Sequence, residues 1–407
     1  MKVRRWLPLI VALPLFAAAS ATLQEMETRA AALKAKGDAA GALAAYAEAA
    51  ALDPKSARIQ DEMGFLLAVL NRRGEAIEHF EHAISLDARF APAHFHLGVA
   101  LWLQEDRTRG LVELQAAAEL DPQNASYQSK LGQALEASGQ HQEAIPHLRA
   151  AITTQPADAL AWNNLGAALQ KTGDAGGAVD AYRRVVDLEP SNLDARNSLG
   201  LELVNTRRAD EGIAQFQKVL AASPENHTAR FNLGFAYLQK AELDRAIAVF
   251  RELLARDPDN AATHYNLGVA LKNKDDIEGA KAELSRALQI DPQLAEAHYM
   301  IGIAYWQSGE FDGAVKEMRA AVALRPDYAQ AYFMLGTALK QKGELAAAEE
   351  ALRTSIRLDV SDPGPYNTLA QMLRQRGEIE ESKRLFAEGA RIKQAKEAEL
   401  GILLERK

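Results

Sequence analysis

Histidines offer the first chemistry to test. His79, His82, His94 and His96 lie close together in the chain, and imidazole nitrogens are common metal ligands. Acidic neighbours such as Asp275–Asp276 and Glu349–Glu350 are of the residue type that moves protons in general acid–base work. The run Gly173-Asp174-Ala175-Gly176-Gly177 has the glycine content of a phosphate cradle, but no Lys followed by Ser or Thr comes after it. The signatures G-x-G-x-x-G, H-E-x-x-H and G-x-S-x-G do not occur. There is no cysteine, so thiolate nucleophiles, disulfides and thiolate metal sites are excluded.

Which of these residues can meet depends on the elements that carry them, and those follow from a period. Pro54, Pro122, Pro156, Pro190, Pro224, Pro258, Pro292 and Pro326 are separated by 34 or 68 residues. Gly64, Gly98, Gly132, Gly166, Gly200, Gly234, Gly268, Gly302 and Gly336 keep the 34-residue step without a gap. Placing each glycine at position 8 gives eleven repeats from Leu23 to Lys396, residues 23–396. Position 20 is always small, from Ala42 to Ser382, and position 24 always large and apolar, from Tyr46 to Phe386. Positions 4, 7, 8 and 11 share one helix face, as do 20, 24, 27 and 28. A break falls at positions 15 and 16, as in Gly309-Glu310. The second helix stops before proline, which drives the preceding residue out of helical geometry. Each repeat is expected to be a hairpin of two helices, and the chain to be all-α. Glycine inside a helix costs ~1 kcal/mol relative to alanine, so the nine at position 8 predict a close approach of the two helices.

This frame disposes of the metal reading. His94 stands at position 4, where His264 and His298 recur and Trp162 substitutes, so it reads as a packing residue. His79 and His82 fall at positions 23 and 26 of the second helix and are expected to face away from the core. The acidic pairs sit at turns or outer helix faces, where solvent is the default. No metal, cofactor or catalytic residue is expected.

Trp162, Leu165, Gly166, Leu169, Ala178, Tyr182 and Pro190 follow the pattern W-x2-L-G-x2-Y…A-x3-F…P, with Leu for its first Tyr and Tyr for its Phe. His264, Leu267, Gly268, Leu271, Ala280, Leu284 and Pro292 repeat it with substitutions. These residues resemble the tetratricopeptide repeat family over nearly all of the chain after residue 22. The resemblance implies an α-solenoid, a right-handed superhelix of helix-turn-helix repeats whose first helices line a concave face. It also implies a scaffold that binds peptides or protein surfaces and carries no catalytic residues. Asn164, Asn232 and Asn266 at position 6 resemble the asparagine ladder in the repeats of O-linked N-acetylglucosamine transferases. The repeat part of a glycosyltransferase-like system is therefore one alternative, although no catalytic domain follows, and a structural assembly scaffold is another.

Residues 1–21 read as an export signal: Lys2, Arg4 and Arg5 precede an apolar run from Trp6 to Ala19 and the small-residue site Ala19-Ser20-Ala21. The run falls short of the ~20 residues of a spanning helix. Cleavage near Ala21 and a periplasmic or secreted chain are expected, with an uncleaved membrane anchor as the alternative. Loss of Lys2, Arg4 and Arg5 changes the net charge from −8 to −11, which argues against nucleic acid or an anionic membrane as partner. Residues 397–407 are expected to extend the last helix as a cap, with Leu400, Leu403 and Leu404 over the open apolar end.

In the geometry the family implies, positions 2, 5, 9, 12 and 13 of the first helix face the groove. Position 5 holds Phe231, Tyr265, Tyr299 and Phe333 in four consecutive repeats, and Phe95 nearer the N-terminus. Positions 9 and 12 add Phe235, Leu238, Val269, Ile303 and Trp306 to the first group, and Phe65, Val99 and Trp102 to the second. Neighbouring helices ~8–10 Å apart predict a continuous apolar ladder, and such a patch marks an interaction site. These residues are the candidate site for a protein or peptide segment. Packing between adjacent first helices and self-association are the alternatives. Groove cations are few (Lys34, Arg58, Lys171, Lys272, Lys340 and Arg374) and do not form the Lys/Arg-with-Asn set by which some family members hold a terminal carboxylate.

Overall fold

The structure, a computed structural model, describes the backbone of residues 12–405 and the side chains of residues 22–398. The start of the expected signal and the leucines of the expected cap lie outside the described residues. Among the described residues the chain forms twenty-two helices and no strand. It is an α-solenoid: hairpins follow one another along the chain, such as Ala91–Leu103 with Arg107–Leu120 in repeat 3 and Ala295–Gln307 with Phe311–Leu324 in repeat 9. The first helix, Ala12–Ala35, runs without a break past Ala21, and the last, Ile379–Glu405, continues through the expected cap. No helix among the described residues is long and apolar enough to cross a membrane.

Local chemistry sets the helix starts. Asp38, Asp106, Asp174 and Asp276 each accept a backbone N–H at the start of a second helix. Ser56, Asn124, Asp158, Asn226 and Asn260 do the same for first helices. Between the two helices the residue at position 15 is left-handed in every repeat. It is glycine at Gly37, Gly139, Gly173, Gly309, Gly343 and Gly377, but Asn71, Glu105, Arg207, Ala241 and Asp275 in the other five.

Position 8 explains how close the helices come. A Cβ at Gly64 would stand 2.6 Å from the Phe80 ring, and one at Gly268 2.7 Å from Leu284 Cγ. The large residue of position 24 therefore lies directly on the bare backbone of position 8. Leu114, Leu148, Phe216, Phe250, Leu284, Met318 and Leu352, all at position 24, are 0% exposed.

The chain divides into two compact bodies, Met1–Glu202 and Leu203–Lys407. In each, second helices pack on the first helix of the following hairpin. First helices also touch each other. In the N-terminal body Ala57–Val69 meets Ala91–Leu103 and Ala125–Ala137 meets Ala159–Lys171, and in the C-terminal body the first helices of repeats 7 to 11 touch in succession. Consecutive second helices make no comparable contact, so within each body the first helices crowd one side of the stack.

Candidate partner-binding surface

A hydrogen bond at position 4 ties eight of the first helices to the loop before them. The side chains of His94, Gln128, Trp162, Arg196, Arg230, His264, His298 and Tyr366 each donate to the carbonyl six residues earlier, that of Ala88, Pro122, Pro156, Pro190, Pro224, Pro258, Pro292 or Val360. In the three histidines the other nitrogen, Nδ1, lies 2.6, 2.6 and 2.7 Å from the carboxylates of Glu113, Glu283 and Glu317 on the second helix of the same repeat. His79 departs from expectation. It is half-buried, with Nδ1 2.8 Å from Gln60 Oε1, rather than turned outward. The reason is that position 23 leans onto position 4 of its own hairpin, and His147 repeats the arrangement with Gln128 at 2.7 Å. Burial pushes both of these imidazoles below their ordinary value. Among the described residues, no group of three His, Asp or Glu is arranged to hold a metal ion.

The thirteen candidate groove residues lie on first helices, and all are half-buried. Among the described residues no ring contact joins Phe231 to Tyr265, Tyr265 to Tyr299, or Tyr299 to Phe333. The helix spacing of ~8–10 Å exceeds the ~4.5–7 Å of a ring contact, so the rings form a row instead of a stack. Each turns to a nearer neighbour. Tyr299 meets Tyr328 at 4.9 Å, Phe95 meets Tyr127 at 4.8 Å, and Phe231 meets Phe250 of its own hairpin at 5.9 Å. Tyr299, Ile303, Trp306 and Phe333 pack against the buried core of the last three repeats, so part of their surface serves packing between repeats. Phe235, Leu238 and Val269 are half-buried on the same helix series, and Arg107 lies over the Trp102 ring at 5.7 Å. Asn164 and Asn232, each 8% exposed, are core residues and offer nothing to a groove.

Around Tyr299 the row gains polar edges. Arg325 stacks 3.6 Å above the Tyr328 ring and pairs with Glu296 at 2.7 Å. Burial raises the phenols of Tyr265 and Tyr299 above their usual value, with the Glu296 charge adding to the effect at Tyr265. Burial also pushes Tyr328 to about 12.

In the N-terminal body, Phe65, Phe95 and Val99 converge on a cavity of about 490 Å³. Phe80 and Leu103 complete its apolar wall, and His96, Arg73 and Lys130 also line it. The His96 ring stands 5.6 Å from Phe65, 5.6 Å from Phe80 and 5.7 Å from Phe95, and its Nδ1 is 2.8 Å from the carboxylate of Asp61. Asp61 is only 4% exposed, so this contact stands in for water around a buried charge. Lys34 sits 4.2 Å over the Phe65 ring and pairs with Glu62 at 2.6 Å. Sequence reasoning missed Lys130 and the second role of His96. Both stand at position 6, outside the assumed groove set; His96 follows the aromatic Phe95, whereas Lys130 follows Ser129 and carries no such signal.

Three family models, each described as tetratricopeptide repeat, match the chain. The first covers residues 129–192, 197–261 and 299–363, the second 241–302 and 270–323, and the third 366–396. No curated protein sequence matches. Two of the similar solved structures share the fold. A tetratricopeptide repeat protein from Parabacteroides merdae is 15% identical with a TM-score of 0.53, over 61% of this chain and 98% of its own. The Cut9–Hcn1 structure of the APC/C hetero-tetramer is 14% identical with a TM-score of 0.51, over 84% of this chain and 88% of that one. MamA is 26% identical with a TM-score of 0.39, over 41% of this chain and 97% of its own.

Proposed function

Because the chain belongs to the tetratricopeptide repeat family, we propose that it is a protein-interaction scaffold that takes a peptide or protein segment along its first helices. One observation carries this reading. The thirteen candidate residues at positions 5, 9 and 12 keep accessible surface, whereas the apolar residues of positions 7, 20 and 24, apart from the half-buried Met63 and Phe386, are closed off in the core. Exposed apolar rows of this kind on a chain that is 25% charged favour a binding role. The net charge of −8 favours a polypeptide over a nucleic acid. The N-terminal pattern Lys2 to Ala21 supports export as the setting.

The test is a crosslinking pull-down from the compartment to which the N-terminus directs the chain. Tyr265→Ser with Tyr299→Ser removes two neighbouring rings of the row, and Val269→Glu places a charge on a half-buried site of the same helix series. Partner recovery is expected to fall roughly tenfold or more for both, at melting temperatures near wild type. Undiminished recovery by the folded variants would remove the groove from consideration.

A further inference from the structure

The cavity of repeats 2 to 4 combines two features. Its wall is apolar, with Phe65, Phe95 and Val99 at its centre, yet two cations stand on it, Arg73 exposed and Lys130 half-buried. Among the described residues neither cation has a carboxylate at ion-pair distance. The neighbouring Lys34, Arg58, Arg72 and Arg109 all do. Lys130 donates to the neutral Gln133 Oε1 at 2.9 Å. Burial lowers the ammonium's proton affinity. His96 is committed to Asp61 through Nδ1, and among the described residues Nε2 has no hydrogen-bond partner. A volume of about 490 Å³ lies within the ~300–1,000 Å³ of ligand sites.

An apolar box with unpaired cations on its wall complements an apolar group that sits beside an anion. Extending the groove reading, we propose that this cavity takes one bulky apolar side chain of a partner polypeptide, with a neighbouring Asp or Glu carboxylate set against Arg73 and Lys130. The aromatic wall supplies affinity for the apolar side chain. The two cations select acidic surroundings and reject basic ones.

The test uses the full chain on an array of short peptides, acetylated and amidated so that no terminal charge contributes. Four sets are compared: aromatic with acidic residues, aromatic with basic, aromatic with neutral, and acidic without aromatic. The aromatic–acidic set is expected to be held roughly tenfold better than each of the others, and less well as salt rises. Arg73→Met with Lys130→Met removes that preference, and Arg73→Glu with Lys130→Glu transfers it to the aromatic–basic set. Neither position is part of the buried core, so folding is preserved and checked by circular dichroism. Equal capture of acidic and basic sets, a preference that survives charge reversal, or no capture at all overturns the proposal. So does a dimer abolished by the charge reversal, which assigns the cavity to a second copy. The groove reading falls separately, on the Tyr265, Tyr299 and Val269 pull-down.

Discussion

His79 and His147 occupy equivalent places in repeats 2 and 4, and burial holds both imidazoles below their ordinary value of 6.5. The native form therefore binds fewer protons than the unfolded chain at mildly acidic pH, so stability is complete above about 6.5 and is lost as pH falls below it. Melting followed between roughly pH 7.5 and 5 is expected to show a steeper loss in wild type than in a variant with His79→Gln and His147→Gln. Parallel curves would show that these imidazoles do not couple to folding. At this scale the sequence exposes positions but not orientations. The repeat register with the family resemblance places Phe65, Phe95 and Val99 on one surface, yet the turn of His79 toward Gln60 is set by the packing of two helices. Lys130 becomes a site residue only because its neighbours leave its charge unpaired.

The hairpin is the element that composition makes legible. Glycine at position 8, a small residue at position 20 and proline at position 32 mark its contact and its end, and the helices lie where that pattern puts them. The left-handed residue at position 15 is legible in only six repeats, because Asn71, Glu105, Arg207, Ala241 and Asp275 carry no glycine signal. There the hairpin geometry overrides a local cost of ~1–2 kcal/mol per residue. Ala241→Gly relieves such a cost, and chemical denaturation is expected to show a gain of about 0.5–1 kcal/mol after the extra freedom of the unfolded chain is subtracted. Gly64→Ala has the opposite sign. Its Cβ would meet the Phe80 ring at 2.6 Å and the Ala76 carbonyl at 3.0 Å, so a loss of about 1–3 kcal/mol is expected in the same measurement.

For the molecule as a whole, contacts are between neighbours in sequence, and stability is approximately a sum over hairpins and their interfaces. Removing residues 261–294, one full repeat of the C-terminal body, joins Asn260 to Ala295 and keeps a helix-capping residue at the junction. The shortened chain is expected to keep its helical signal per residue and to melt cooperatively, and collapse of that signal would refute additivity. The position 4 bond makes such editing tolerable. Eight repeats make it with five kinds of side chain, His, Gln, Trp, Arg and Tyr. What the eight share is an N–H or O–H at a fixed reach, not a particular residue. Compared letter by letter, the repeats look random at this place, but they are synonyms. Drift among the five leaves the meaning unchanged, and loss of the donor erases it.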